Sequence, residues 1–85
     1  MIVSPQDRVC AVVQQVAEAR SIVRQVNADE SLIAIGLTSL DTVKLVLLVE
    51  SEFDLTLPLT EITPANFRSI STISRMITRL LGERQ

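Results

Sequence analysis

Apolar residues in this chain recur at the three- and four-residue spacing of an α-helix, and that spacing limits the fold more than any other feature. Val9, Val12, Val13 and Val16 stand at i, i+3, i+4 and i+7, which places them on one face of an amphipathic helix. Ile70, Ile73, Met76, Ile77, Leu80 and Leu81 repeat the spacing near the other end, and Leu40, Val43 and Leu47 carry it through the middle. A strand needs a period of two. The chain is therefore read as all-α.

Capping residues mark where these helices begin. In Ser4-Pro5-Gln6-Asp7, Ser4 suits the N-cap, Pro5 the first helical position and Asp7 the far corner of a capping box. Thr38-Ser39-Leu40-Asp41 has the same T-x-x-D form, Thr63-Pro64 is another start, and Ser69 suits the cap of the last helix, with Gly82 as its stop. These signals predict a first helix from Pro5 to about Arg20 and a second through about Glu52. A short third helix is expected within Thr60 to Phe67, and a fourth from Ser69. Ser21 to Gly36 reads as an ordered loop pinned by Ile22, Val23, Val26, Leu32, Ile33 and Ile35, with one helical turn near Ser31 to Ala34. Phe53 to Pro58 reads as the end of the second helix and an extended link, because Pro58 biases Leu57 away from helix. The expected architecture is a small four-helix bundle, one domain over residues 1–85.

Composition removes whole classes of chemistry. There is no His and one Cys, so Ser-His-Asp and Cys-His catalysis and the common zinc sites are excluded. Cys10 falls beside the first apolar stripe and reads as a small half-buried hydrophobe; a lone thiol forms no internal disulfide and fits a reducing compartment. No apolar run is long enough to span a bilayer, and Met1 to Val3 is too short for a signal peptide. These points set the expectation of a cytoplasmic protein, with a monomer as the default. Only Phe53 and Phe67 are aromatic, leaving no stacking platform for nucleic acid. Charge is uneven: Asp29, Glu30, Asp41, Glu50, Glu52, Asp54 and Glu61 face one base, Lys44, and Arg68, Arg75, Arg79 and Arg84 follow with one acid, Glu83. An acidic middle repels phosphates, which argues against a DNA-binding helix-turn-helix, and favours basic protein surfaces.

Two features around residue 39 stand out. The second helix is too apolar for one buried face, so either it is packed on most sides or part of it awaits a partner; Leu37, Leu40 and Leu47 are the candidates for an exposed remainder. Ser39 falls at the start of that helix with its hydroxyl directed away from the core. Its plain reading is a capping residue. A catalytic reading lacks a base, since Lys44 lies on another part of the helix. A phosphate esterified there would meet free N–H groups and the positive end of the helix dipole.

Gly36-Leu37-Thr38-Ser39-Leu40-Asp41-Thr42-Val43, followed by Glu50-Ser51-Glu52-Phe53 and Leu57-Pro58, resembles the attachment motif of acyl carrier proteins, where G-x-D-S-L-D precedes an apolar-acidic helix and an [IL]-P. Thr63-Pro64-Ala65-Asn66-Phe67-Arg68-Ser69-Ile70 is similar to the T-P-x-N-F-R-S-I segment of stand-alone carriers of specialised pathways. The likeness covers essentially the whole chain. It implies that a phosphopantetheinyl transferase esterifies Ser39 with 4′-phosphopantetheine. The arm's thiol would then hold an acyl or aminoacyl group as a thioester for a loading ligase and downstream biosynthetic enzymes. The protein itself would perform no catalysis.

The resemblance also implies a docking surface at Leu37, Thr38, Leu40, Asp41, Lys44, Leu47 and Glu50, with Asp41, Glu50 and Glu52 meeting basic patches on partners or forming a solvated face. Two positions depart from the family pattern: Thr38 stands for the usual Asp, and Lys44 for the usual Glu. The reversal at Lys44 disfavours fatty-acid enzymes and points to a polyketide-like, aminoacyl or dedicated lipid pathway. A cleft between the second and third helices is expected near Val49, Leu57 and Ile62. The competing reading is a cofactor-free interaction module of degenerate carrier fold.

Overall fold

The computed structural model describes residues 3–83; Met1 and Arg84, used above, lie outside them. Three α-helices form: α1 Pro5–Ala19, α2 Ser39–Phe53 and α3 Ile70–Glu83. The expected starts hold. Ser4 Oγ accepts from the Asp7 amide at 3.1 Å. Thr38 and Asp41 form a reciprocal capping box. Ser69 Oγ accepts from the Thr72 amide at 3.2 Å while Thr72 Oγ1 accepts from the Ser69 amide at 2.9 Å. Gly82 does not stop α3, which continues to Glu83.

The short third helix expected within Thr60 to Phe67 is not formed, so the helices number three where four were expected. Its place is taken by a single 3-10 turn, Leu59–Glu61, and a lone helical turn closed by the Phe67 amide on the Thr63 carbonyl at 3.1 Å. Thr63 caps that turn through the Asn66 amide at 3.1 Å, as its Thr-Pro start requires. Asn66 then spends its side chain on the Glu61 carbonyl at 2.8 Å, folding the two turns against each other. Two turns satisfied by side chains cannot also propagate as one helix.

The end of α1 carries a motif without its usual residue. Ser21 lies at φ 63, its amide bonds the Glu18 carbonyl at 2.9 Å, and the Ile22 amide bonds the Ala17 carbonyl at 2.9 Å. This is the double bond of a Schellman cap, with serine in the left-handed position that glycine normally fills. The loop that follows contains the expected helical turn: the Ile35 amide bonds the Ser31 carbonyl at 3.2 Å. Gly36 at φ 114 then reverses the chain toward α2, a conformation open to glycine and strained for other residues.

The core is aliphatic. α1 packs on both α2 and α3. It contributes Val9, Val12, Val13 and Val16, met by Leu45 and Val49 from α2 and by Ile70, Ile73, Met76 and Ile77 from α3. Leu57 and Phe67, from the segment joining α2 to α3, complete it with Val26, Leu32 and Leu37 from the loop. Cys10 is half-buried beside this core. Among the described residues no helix is long and apolar enough to cross a membrane.

Candidate functional site

α2 buries one stripe and no more. Asp41, Leu45, Val49 and Phe53, four residues apart, face inward. Leu40, Val43 and Leu47 on the other side are 70%, 56% and 61% exposed, which leaves three apolar side chains on one exposed helix face. Leu40 and Leu47 thus lie where the sequence reading put them. Val43 was not singled out, although its spacing from Leu40 and Leu47 was the available signal. Leu37 is corrected: it is buried in the core, because its amide bonds the Leu32 carbonyl at 3.0 Å and turns the side chain inward.

Ser39 is the first residue of α2, directly after the N-cap Thr38, and is exposed. The amides of Ser39 and Leu40 fall in the first turn, where helix geometry gives them no partner within the helix. The Asp41 amide is taken by Thr38 Oγ1 at 3.4 Å. The hydroxyl of residue 39 therefore stands beside two free donors at the positive end of the helix dipole.

Of the acids expected on a docking face, the structure turns one, Asp41, inward. Asp41 is fully buried. The capping box draws its carboxylate back to the Thr38 amide at 2.8 Å and the Thr38 hydroxyl at 3.1 Å. Arg20 reaches over from the end of α1, with Nε at 2.7 Å from the same Asp41 oxygen and Nη2 donating to Thr38 Oγ1 at 3.0 Å. Burial by itself would raise the Asp41 carboxyl; the two Thr38 donors and the Arg20 guanidinium together outweigh it and hold the pKa below the usual value. Asp41 Oδ1 has no hydrogen-bond partner, and its only compensation is the Lys44 ammonium at 3.9 Å. That contact gives Lys44 a reason to depart from the family's Glu, which would set a like charge against a buried carboxylate. Glu50 is half-buried and accepts from the Leu57 amide at 2.8 Å, and Glu52 pairs with Arg8 at 2.8 Å. Asp41 and Glu50 are thus committed inside the fold, while Glu52 stays exposed in a surface ion pair.

A groove of about 260 Å³ opens beside Ser39. Buried Leu32, Leu37 and Phe67 form its floor, and Ser39, Ile62 and Arg68 stand among its rim. The expectation for this cleft is half met: Ile62 lines it, whereas Val49 and Leu57 are sealed in the core. Among the described residues no carboxylate lines the groove. Among the described residues no His, Cys, Asp or Glu cluster can hold a metal.

An exposed serine beside free helix-start amides, next to an apolar groove without negative charge, fits a phosphodiester with an extended chain attached. The fold and the junction define a class of small helical domains that bear a tethered group. Residues 7–80 match the family described as phosphopantetheine attachment site. Aminoacyl carrier protein 2 of Bradyrhizobium diazoefficiens is 46% identical over 80 residues, 94% of this chain and 90% of that protein. Aminoacyl carrier protein 1 of the same organism is 42% identical over 72 residues, 85% of this chain and 80% of that one. A chain in the crystal structure of Bradyrhizobium japonicum glycine:[carrier protein] ligase complexed with glycylated carrier protein has a TM-score of 0.71 at 42% identity, covering 84% of this chain and 96% of that one. In the complex of the same ligase with its cognate carrier protein and a glycyl adenylate analogue, the values are 0.74 and 40%, over 87% and 96%. This chain belongs to the acyl carrier protein family, the phosphopantetheine-bearing carriers. It holds an acyl or aminoacyl group as a thioester on covalent 4′-phosphopantetheine and presents it to partner enzymes.

Proposed function

We propose that Ser39 is the attachment residue and that the cargo is an amino acid, loaded by an ATP-dependent ligase that adenylates it. The observation that carries the site is the exposed Ser39 hydroxyl at the first position of α2, between free amides and the groove. In the attachment step a transferase joins Ser39 Oγ to the phosphorus of coenzyme A. The pyrophosphate bond breaks, adenosine 3′,5′-bisphosphate leaves, and the serine proton passes to the transferase's base. Ser39 would hold the group through its phosphodiester, and the group would supply a terminal thiol able to carry the aminoacyl unit as a thioester.

The chain's own residues position this site. Thr38, Asp41 and Arg20 fix the start of α2, and Gly36 sets the approach of the loop. Leu40, Val43 and Leu47 give partners an apolar patch, with Lys44 beside it. The aminoacyl reading is supported by the relatives' names and by the charge of this face, where Asp41 is turned inward and Lys44 is exposed. The protein works in the cytoplasm as a monomer that meets the transferase, the ligase and a downstream enzyme in turn.

The deciding experiment is intact mass after incubation with coenzyme A and a broad-specificity phosphopantetheinyl transferase, with Ser39→Ala in parallel. The wild type should gain one phosphopantetheine and the variant none. A gain on Ser39→Ala would remove Ser39 from the role. Absence of gain on the wild type with several transferases would favour the cofactor-free interaction module.

A further inference from the structure

We infer that Arg68 is a clamp for the phosphodiester of the tethered arm, holding the arm against the groove floor while the carrier is free of partners. The inference rests on Ser39 as the attachment residue and adds a binding residue to it.

The basic side chains of the described residues are, with one exception, committed. Arg8, Arg20, Arg24 and Arg79 sit in ion pairs with Glu52, Asp41, Glu30 and Glu61. Lys44 faces Asp41, and Arg75 donates to the Ser71 carbonyl at 3.4 Å. Among the described residues, Arg68 is the one base whose side chain has neither an ion pair nor a hydrogen bond. Its position is nonetheless fixed, because its carbonyl accepts from the Leu32 amide at 2.8 Å, tying the start of α3 to the groove floor. The exposed guanidinium stands on the rim of the same groove as Ser39, and among the described residues it is the only charged group there.

A phosphodiester on Ser39 Oγ carries one negative charge at all physiological pH values. It would sit in a groove with no carboxylate to repel it and one unpaired guanidinium able to meet it with paired N–H donors. The free amides at the start of α2 engage one side of the phosphate, and Arg68 closes the other. The apolar floor of Leu32, Leu37 and Phe67 then takes the nearer part of the arm. At about 260 Å³ the groove is smaller than typical drug-sized ligand pockets. It receives the arm and leaves the cargo outside, where an amino acid's ammonium stays hydrated.

The test compares amide NMR spectra of the apo and phosphopantetheine-bearing forms of wild type, Arg68→Gln and Arg68→Lys. Arg68 is exposed, so the apo spectra of the variants should overlay that of the wild type away from residue 68. In the wild type the arm should shift the amides of Leu32, Ile62 and Phe67 as well as those near Ser39. Arg68→Gln should lose the groove shifts and keep those at residues 39–42, and Arg68→Lys should retain a fraction of them. Wild-type groove amides unmoved by the arm, or unmodified groove shifts in Arg68→Gln, would overturn the clamp while the mass gain still upheld Ser39. A wild type without mass gain would remove both readings.

Discussion

Asp41 and Ser21 show how single residues set the terms for the site. The Asp41 carboxyl titrates below its ordinary value of 3.8 in the folded protein, so the native state binds fewer protons than the unfolded state in that range. Its contribution to stability is complete above the unfolded value and disappears as pH falls through the lower folded value. Urea midpoints measured down through this acid range should therefore fall more steeply for the wild type than for Asp41→Asn. Equal slopes would mean that the carboxylate is not held by its donors. Glu61, held down first by its hydrogen bond from Arg79, has the same sign. It is an exposed pair, and Arg79→Gln should change the midpoint little. Arg20→Gln removes a partner from a buried acceptor and should cost about 1–3 kcal/mol at neutral pH. Ser21 runs the other way. A left-handed residue with a side chain is strained by roughly 1–2 kcal/mol, part of which glycine recovers against its greater freedom when unfolded. Ser21→Gly should raise stability by about 0.5–1 kcal/mol in a urea melt; a lower midpoint would show that the serine side chain compensates its own strain.

At the scale of elements, α2 separates stability from recognition along its two faces. Leu45 and Val49 are essentially inaccessible, whereas Leu47 between them is 61% exposed. Leu47→Ser should leave the urea midpoint within ~0.5 kcal/mol. In a steady-state loading assay it should raise the ligase KM for the carrier about 5- to 10-fold, the scale of an interface residue worth somewhat over 1 kcal/mol. An unchanged KM would place docking elsewhere. The helices and their caps were legible in the sequence because periodicity and capping are local: Ser4 to Asp7, Thr38 to Asp41 and Ser69 to Thr72 each close over three residues. The short third helix was misjudged because Thr63-Pro64 does start a turn, while Asn66 turning back to Glu61 ends it, and only the folded chain shows that competition. The Schellman cap was hidden by serine in the glycine position. Leu37 was placed outward as part of an apolar surplus around α2, and Asp41 because the family resemblance implies an acidic docking face beside Ser39. What turns Leu37 inward is a loop hydrogen bond to Leu32; what turns Asp41 inward is the capping box, which the sequence did show, joined by an arginine from the end of α1, which it did not.

Across the whole molecule, charge is spent on joining elements. Arg8 to Glu52 and Arg20 to Asp41 tie α1 to α2, and Arg79 to Glu61 ties α3 to the 3-10 turn. With Asp41 buried and Glu50 bonded to the Leu57 amide, the face around Ser39 presents Leu40, Val43 and Leu47 with Lys44 beside them, and a net charge of −2 gives little long-range attraction to a basic partner. Association driven by apolar contact is insensitive to ionic strength, while steering between opposite charges weakens once the screening length falls below the charge separation. The ligase KM for this carrier should therefore change by less than about threefold between roughly 0.05 M and roughly 0.5 M salt. The same assay separates the two surfaces that flank Ser39. If KM instead rises about tenfold or more with salt, an electrostatic contact governs docking, and the same series on Lys44→Gln and Arg68→Gln would assign it: the variant that flattens the salt dependence carries the charge the ligase reads. A flat response in the wild type, together with the Leu47→Ser effect, would establish that this carrier is recognised by its exposed helix face, with its carboxylates reserved for the fold.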